Sequence, residues 1–351
     1  MSQPFLLYGS YGYTGSLIAD LAVQHELQPI LSGRDNARLV KQADRLGVKY
    51  RALSVDDPRA LDVAVSEVPL VLNCAGPFSR TYQPMVEACL RAGRHYLDIT
   101  GEIPVFEALA AKDHDAREAG VMLLPGVGFD VVPSDCLASH LKRRLPDATQ
   151  LTIAILGLGG GSSRGTMLTS IEHLAEGGVV RRDGKLLRVP LLGQVSMFDF
   201  GRGPRAALNI PWGDVSTAYY STGIPNIETY MVFSKRMWRM VPILRLFVGL
   251  SGWPVVKRLF RWMALQSPPG PSEEQLRTGL SRLIGIASNP AGQQVISRLE
   301  TPNGYQLTAE TAVAIVERVL KGELKPGFQT PSLAYGADFI LEFEGVKRED
   351  L

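Results

Sequence analysis

Three glycines spaced three apart, in Gly9-Ser10-Tyr11-Gly12-Tyr13-Thr14-Gly15, have the types and spacing to hold a diphosphate. They follow a short apolar run, Phe5-Leu6-Leu7-Tyr8, and precede a helix-like stretch over residues 16–22. A strand that turns sharply through glycines into a helix offers backbone N–H groups and the positive helix end to an anion. The spacing is Gly-x-x-Gly-x-x-Gly rather than the commoner Gly-x-Gly-x-x-Gly, and an ordinary glycine-rich turn would produce it too. Context favours the cofactor: a second apolar strand, Pro29-Ile30-Leu31-Ser32, ends about 20 residues after the glycines, as a dinucleotide-binding βαβ unit requires.

The tip of that second strand selects the cofactor. A carboxylate there would bind a ribose 2′-hydroxyl, whereas a cation would bind a 2′-phosphate. The tip reads Ser32-Gly33-Arg34, so Arg34 can pair with the phosphate and stack on adenine while Ser32 donates to it. Asp35 follows at once and offers Arg34 a local ion pair instead. The pattern predicts NADP(H) over NAD(H).

Three further apolar runs end in small or polar residues: Leu70-Val71-Leu72-Asn73-Cys74-Ala75-Gly76-Pro77-Phe78, His95-Tyr96-Leu97-Asp98-Ile99-Thr100-Gly101-Glu102, and Val121 through Gly128-Phe129-Asp130. Strand ends of this kind are where a parallel sheet binds ligands. Cys74, Ala75, Gly76, Pro77 and Phe78, with Asp98, Gly128 and Phe129, are therefore expected beside the cofactor. Hydride chemistry also needs a proton source for the atom that gains charge. Asp130, where the last of these strands meets the next helix, is the first candidate, as acid or as substrate anchor; Ser134 and Asp135 lie close by. The competing account makes Asp130 or Ser134 a helix cap, with Pro133 in the first turn. Tyr96 and Glu102 are weaker candidates, because a strand tyrosine is usually core and a glutamate before Pro104 can simply start a helix. His95 reads as a surface residue beside its strand. Further on, the run from Gly159 to Thr166 precedes a helix, so Gly165 and Thr166 can receive an anionic or carbonyl group; a flexible loop explains it equally.

These tips require alternating strands and helices behind them. Residues 36–46, 57–66, 82–92 and 104–119 read as helices, and 48–53 as a strand. The fold class is α/β, with an N-terminal Rossmann-type, doubly wound parallel sheet. After a helix over 134–144 and a strand over 150–158 the grammar changes. Residues 179–189 read as a hairpin around Arg182-Asp183-Gly184, and short strands follow near 195–200, 206–210 and 227–234. A second hairpin, 281–287 with 293–299, turns through Asn289-Pro290-Ala291-Gly292. The second domain is expected to be α+β on a mixed, largely antiparallel sheet.

The chain has 351 residues, 45% of them hydrophobic, which suits two buried cores. Its 37 basic and 35 acidic side chains nearly cancel, which gives no general case for nucleic acid. Cys74, Cys89 and Cys136 are too scattered for a disulfide framework or a metal site, and no metal is expected. Met1-Ser2-Gln3-Pro4 leads straight into a strand without a basic and then apolar leader, so a cytoplasmic protein is expected. One segment departs from a generic enzyme. Between Lys235 and Leu265 lie Trp238, Trp253 and Trp262 and many aliphatic residues, with seven cations and no acid. Such a stretch can lie at a membrane interface or cover an acyl chain, or it can pack a homodimer or a domain.

Together the glycine motif, the Ser32-Gly33-Arg34 tip, the 73–78 and 96–102 tips and Gly128-Phe129-Asp130-Val131-Val132-Pro133-Ser134-Asp135 resemble the saccharopine dehydrogenase-like oxidoreductases. Gly270-Pro271-Ser272-Glu273-Glu274, residues 304–309 and Thr330-Pro331 are similar to the short branch that contains the trans-acting enoyl reductases. The resemblance implies an NADP-binding Rossmann domain over 1–131, a substrate and dimerisation domain over 132–307, and C-terminal helices over 308–351 that return to the first domain. It also implies hydride transfer to a C=C or C=N bond of a small hydrophobic or acyl-type substrate. A catalytically silent, lipid-associated NADP-binding module is the alternative.

Overall fold

The computed structural model describes residues 3–159, 161–173, 177–191, 193–234, 238–239 and 254–351. The chain divides into two compact units, one made of 1–132 with 305–334 and the other of 133–304 with 335–351.

The first unit begins with the alternation β1 (Pro4–Tyr8), α1 (Tyr13–Gln24), β2 (Gln28–Gly33), α2 (Asn36–Leu46), β3 (Tyr50–Ala52), α3 (Pro58–Ser66), β4 (Leu70–Asn73) and α4 (Phe78–Ala92). It continues through β5 (His95–Asp98), α5 (Ile103–Ala110), α6 (Asp113–Glu118) and β6 (Met122–Leu124). The stretch expected as one helix over 104–119 is thus two. The central strands β1 and β4 have almost no polar face, because both sides of a parallel sheet are covered by helices. Asp35 and Asp57 start α2 and α3 by accepting the N–H groups of Arg38 and Ala60.

The second unit carries α7 (Val132–Arg144), β7 (Gln150–Leu158), α8 (Arg164–His173), β8 (Gly178–Arg182), β9 (Lys185–Val189), β10 (Val195–Asp199), β11 (Pro204–Asn209), α9 (Asp214–Thr222) and β12 (Asn226–Met231). Helices Pro254–Gln266 and Glu273–Thr278 and strands β13 (Leu280–Ser288) and β14 (Gln294–Pro302) follow. Both expected hairpins form. Asp183 and Gly184 take the positive φ values, 47° and 76°, that a two-residue β-turn needs. In the other, Asn289 Oδ1 accepts the Gln293 N–H at 2.9 Å, which fixes the register of β13 against β14.

The remainder of the chain is shared. Helix Gly304–Leu320 and the two-residue strand β15 (Gly327–Phe328) join the first unit, whereas β16 (Lys347–Asp350) pairs with β14 in the second. Residues 335–351 therefore part from the helix that precedes them, where the sequence reading kept 308–351 together; the open edge of β14 takes them as a strand.

The first sheet is parallel throughout, in the order β15-β6-β5-β4-β1-β2-β3. Chain direction across the sheet reverses between β1 and β4, so the crevice at their carboxyl ends is the switch point at which such folds bind ligands. The second sheet has nine strands along β10-β11-β12-β7-β13-β14-β16, with β8 and β9 attached at β12. Among the described residues only β7 and β12 run parallel in it, and Phe198, Phe200, Ala207, Tyr230, Ala154 and Ile284 form a core against it.

Candidate functional site

At the switch point the three glycines do three different jobs. Gly9 has φ 78°, and a Cβ there would stand 2.8 Å from the Ala75 nitrogen, so only glycine lets the β1 tip approach the β4 tip. At Gly15 a Cβ would lie 2.3 Å from the Gly9 carbonyl oxygen, and its absence lets α1 pack onto the turn. Gly12 is another matter. Its φ is an ordinary −67° and its Cβ would meet only the Gly9 oxygen, at 3.2 Å. A side chain at Gly12 would need the Gly9 carbonyl to give by a few tenths of an ångström and would meet nothing else, and no side chain caps the amino end of α1 there. The Ser10 hydroxyl donates to Gln42 Oε1 and Gln42 Nε2 to the Ser10 carbonyl, both at 2.9 Å, so α2 clamps the loop. Tyr13 packs edge-on against Tyr305 at 5.3 Å, and burial, then that neighbour, pushes its phenol up to about 12. Thr14 follows it in the first turn of α1.

The β2 tip is built around Tyr11. Its ring lies on the backbone of Gly33, where a Cβ would come within 2.6 Å of it. The Tyr11 hydroxyl accepts the Arg34 and Asp35 N–H groups at 3.0 and 3.1 Å. Asp35 serves as the α2 cap rather than as an ion-pair partner of Arg34, whose exposed guanidinium is unpaired among the described residues. Ser32 is wholly buried and donates to the Arg51 carbonyl at 2.8 Å. Arg38, absent from the sequence reading, places its guanidinium 4.6 Å from the Tyr11 ring centre and donates to the Tyr11 carbonyl at 2.8 Å. Arg38 and Gln42 are four residues apart on one face of α2 and both reach the glycine loop, whereas Arg34 precedes the Asp35 cap.

A buried network ties the tips of β4, β5 and β6 together. Tyr96 donates its hydroxyl to Asp98 Oδ2 at 2.9 Å and accepts from Asn73 Nδ2 at 3.3 Å. Asp98 Oδ1 takes the N–H groups of Thr100 and Gly126, each at 3.0 Å. Burial raises Asp98 to about 6 and Tyr96 well above its usual range. Tyr96 is thus wholly buried and engaged in positioning Asp98. Asn73 also holds the Ala75 N–H, and Thr81 donates to the Ala75 carbonyl, which fixes the turn through Cys74, Ala75, Gly76 and Pro77. Burial pushes the Cys74 thiol up, away from thiolate chemistry. Glu102, buried beneath this turn, accepts the N–H groups of Phe78 at 2.6 Å and Ser79 at 2.9 Å and so caps α4. His95 is half-buried rather than on the surface, and its Nδ1 accepts the Met122 N–H.

Beyond β6, the Phe129 N–H is held by Thr308 Oγ1 at 2.9 Å, and Gly128 gives the space that this threonine fills. Asp130 is half-buried with its Oδ2 next to Gly101, where a Cβ would come within 2.9 Å. Its carboxyl has no hydrogen-bond partner among the described residues, and desolvation raises it to about 6. Asp130 is not a helix cap. A carboxyl with that affinity for protons carries one for part of the time near neutrality.

In the second unit Ser134 and Asp135 are wholly buried in the first turn of α7, and Asp135 accepts a hydrogen bond from Ser221. At α8 the Ser163 oxygen takes the Thr166 N–H at 3.1 Å and pairs with the Thr166 hydroxyl at 3.0 Å, with Gly165 between them. Much of the basic apolar segment, 235–237 and 240–253, lies outside the described residues. Its described helix, Pro254–Gln266, exposes Leu259, Trp262 and Met263 on one face. Among the described residues no helix is long and apolar enough to cross a membrane, and no cluster of metal-ligating side chains forms.

Residues 5–124 match the family model described as the saccharopine dehydrogenase NADP binding domain. A trans-acting enoyl reductase of Mycobacterium ulcerans is 33% identical over 147 residues, 40% of this chain and 35% of that protein. A saccharopine dehydrogenase-like oxidoreductase of Mus musculus is 26% identical over 207 residues, 51% of this chain and 48% of that one. The chain spans about half the length, or less, of such relatives. The apo saccharopine dehydrogenase (L-Glu forming) of Saccharomyces cerevisiae superposes with a TM-score of 0.69 over 99% of this chain and 100% of that one, at 14% identity. At that identity the likeness concerns the fold.

Proposed function

We propose that the chain is an NADP(H)-dependent oxidoreductase acting on a C=C or C=N bond of a small hydrophobic or acyl-type substrate, a reading supported by the match of residues 5–124 to the saccharopine dehydrogenase NADP binding domain and by the likeness in fold to saccharopine dehydrogenase. The residues fit the cofactor. The uncapped α1 end beside Gly12 would hold the diphosphate, Arg34 the 2′-phosphate, and the turn at Cys74 to Pro77 would border the dinucleotide. When bound, the nicotinamide supplies or accepts the hydride.

The chain must supply the proton, and Asp130 carries this reading. Its carboxyl, raised to about 6 by desolvation, is half-open and uncommitted, as a group that gives up a proton must be. Tyr96 acts through Asp98 as a positioning residue, and Ser134 supports the turn into α7. The names of the enoyl reductase relatives make C=C reduction the first chemistry to test, with C=N reduction as its rival.

The test follows NADPH consumption with enoyl thioesters and with pairs of 2-oxo acids and amines, in wild type and Asp130→Asn. The variant should bind NADPH normally and lose about 10²–10⁴-fold in turnover, the usual worth of a positioned acid. Full activity in the variant would remove Asp130 from the chemistry. Stability supplies an independent check. A carboxyl raised in the folded state favours folding at low pH, and that advantage fades as pH rises through about 6. Asp130→Asn should therefore melt higher than wild type at pH 8, with the gap closing as pH falls from 6 towards 4.

A further inference from the structure

The β2 tip holds more cation and more directed N–H than its one neutral acceptor uses. The Tyr11 hydroxyl sits between the converging N–H groups of Arg34 and Asp35, at 3.0 and 3.1 Å. Two arginines, Arg34 and Arg38, belong to this tip. Arg34 is unpaired, while Arg38 lies across the ring and holds only the Tyr11 carbonyl. Asp35, the residue after Arg34, turns its Oδ1 to the Arg38 backbone N–H and neutralises neither side chain by contact. A phenol oxygen accepting two backbone N–H groups stands in for an anionic oxygen, and a phosphate oxygen would make roughly twice as strong a bond there.

We propose that Tyr11 is a displaceable occupant of the adenosine 2′ subsite, and that Arg38 joins Arg34 as a ligand of the 2′-phosphate when the Tyr11 hydroxyl yields. The inference rests on reading the first unit as an NADP(H) site. Displacement is feasible locally. The ring is held by one half-open face on Gly33 and one stacked guanidinium, and a tyrosine so placed changes rotamer quickly compared with ligand exchange. Arg38 lies in the first turn of α2, four residues beyond Arg34, which precedes the Asp35 cap, and its guanidinium already reaches the Tyr11 ring. Tyr11 would then set cofactor preference, because only a ligand with a 2′-anion offers enough to replace it.

The experiment is calorimetric titration of the full chain with 2′,5′-ADP, 5′-ADP, NADPH and NADH, in wild type, Tyr11→Phe and Arg38→Ala. Tyr11→Phe keeps the ring and removes the oxygen. It should tighten 2′,5′-ADP and NADPH about three- to tenfold while leaving 5′-ADP and NADH within about twofold, and Arg38→Ala should weaken NADPH and 2′,5′-ADP about tenfold or more with little change for the other two. If Tyr11→Phe weakens all four ligands alike and lowers the melting temperature, Tyr11 is a fixed strut and the proposal falls. An NADPH-to-NADH ratio unmoved by Arg38→Ala also overturns it, while the NADP(H) reading stands if wild type still prefers NADPH. Wild type that binds no NADPH overturns both.

Discussion

Two helices begin at the carboxyl ends of the two adjacent central strands, α1 after β1 and α4 after β4, and they end their N-termini in opposite ways. At α4 the protein supplies its own anion: Glu102 accepts the first two N–H groups and is buried in doing so. At α1 no side chain takes that part, Gly12 leaves the approach clear, and the first turn carries no acid. A helix start attracts negative charge in either case. The difference separates a helix start finished by the fold from one that the proposed function assigns to a ligand.

The comparison breaks most sharply at Gly12. Gly12→Val should abolish NADPH binding, by about 100-fold or more, since the branched side chain would enter the space proposed for the diphosphate while pressing on the protein only at the Gly9 carbonyl oxygen. Circular dichroism and melting should stay near wild type; normal binding by this variant would make the opening motif a turn and nothing more. Arg34→Asp comes next. It should weaken NADPH by about 1.5–3 kcal/mol and NADH far less, the range for a charge-assisted contact, and equal losses in fluorescence titration would remove Arg34 from the 2′-phosphate. Glu102→Ala sharpens the other side. It orphans two N–H groups at α4 and should cost about 1–3 kcal/mol in denaturant unfolding, with NADPH affinity changed only a few-fold. Loss of binding without loss of stability at Glu102 would reverse the roles assigned to the two helices.

What could be read from the chain follows the range of the interactions. The Asp183-Gly184 and Asn289-to-Gln293 turns act within a few residues, so both hairpins were legible. The glycine turn and the β2 tip were legible because a βαβ unit fixes their separation. Glu102 and Phe78 meet across 24 residues, and Phe129 and Thr308 across 179, and no local pattern announces such partners. The same holds for β16, whose Lys347–Asp350 has no strand signature and becomes one by meeting the edge of β14. Tyr96 was a weaker candidate because a strand tyrosine is usually core, but its hydrogen bond to Asp98, two residues on, needed the strand's burial to be seen. Arg38 was in reach as a second cation four residues beyond Arg34.

Direct titration of the full chain with NADPH and, separately, NADH tests the central claim, that the fold leaves the α1 terminus and the Arg34 turn for NADP(H). The account predicts saturable binding of NADPH, about tenfold or more tighter than NADH, because it assigns Arg34 and Arg38 to the 2′-phosphate while the Asp35 carboxylate is turned to the Arg38 N–H. No binding of NADPH, or a preference for NADH, would contradict it.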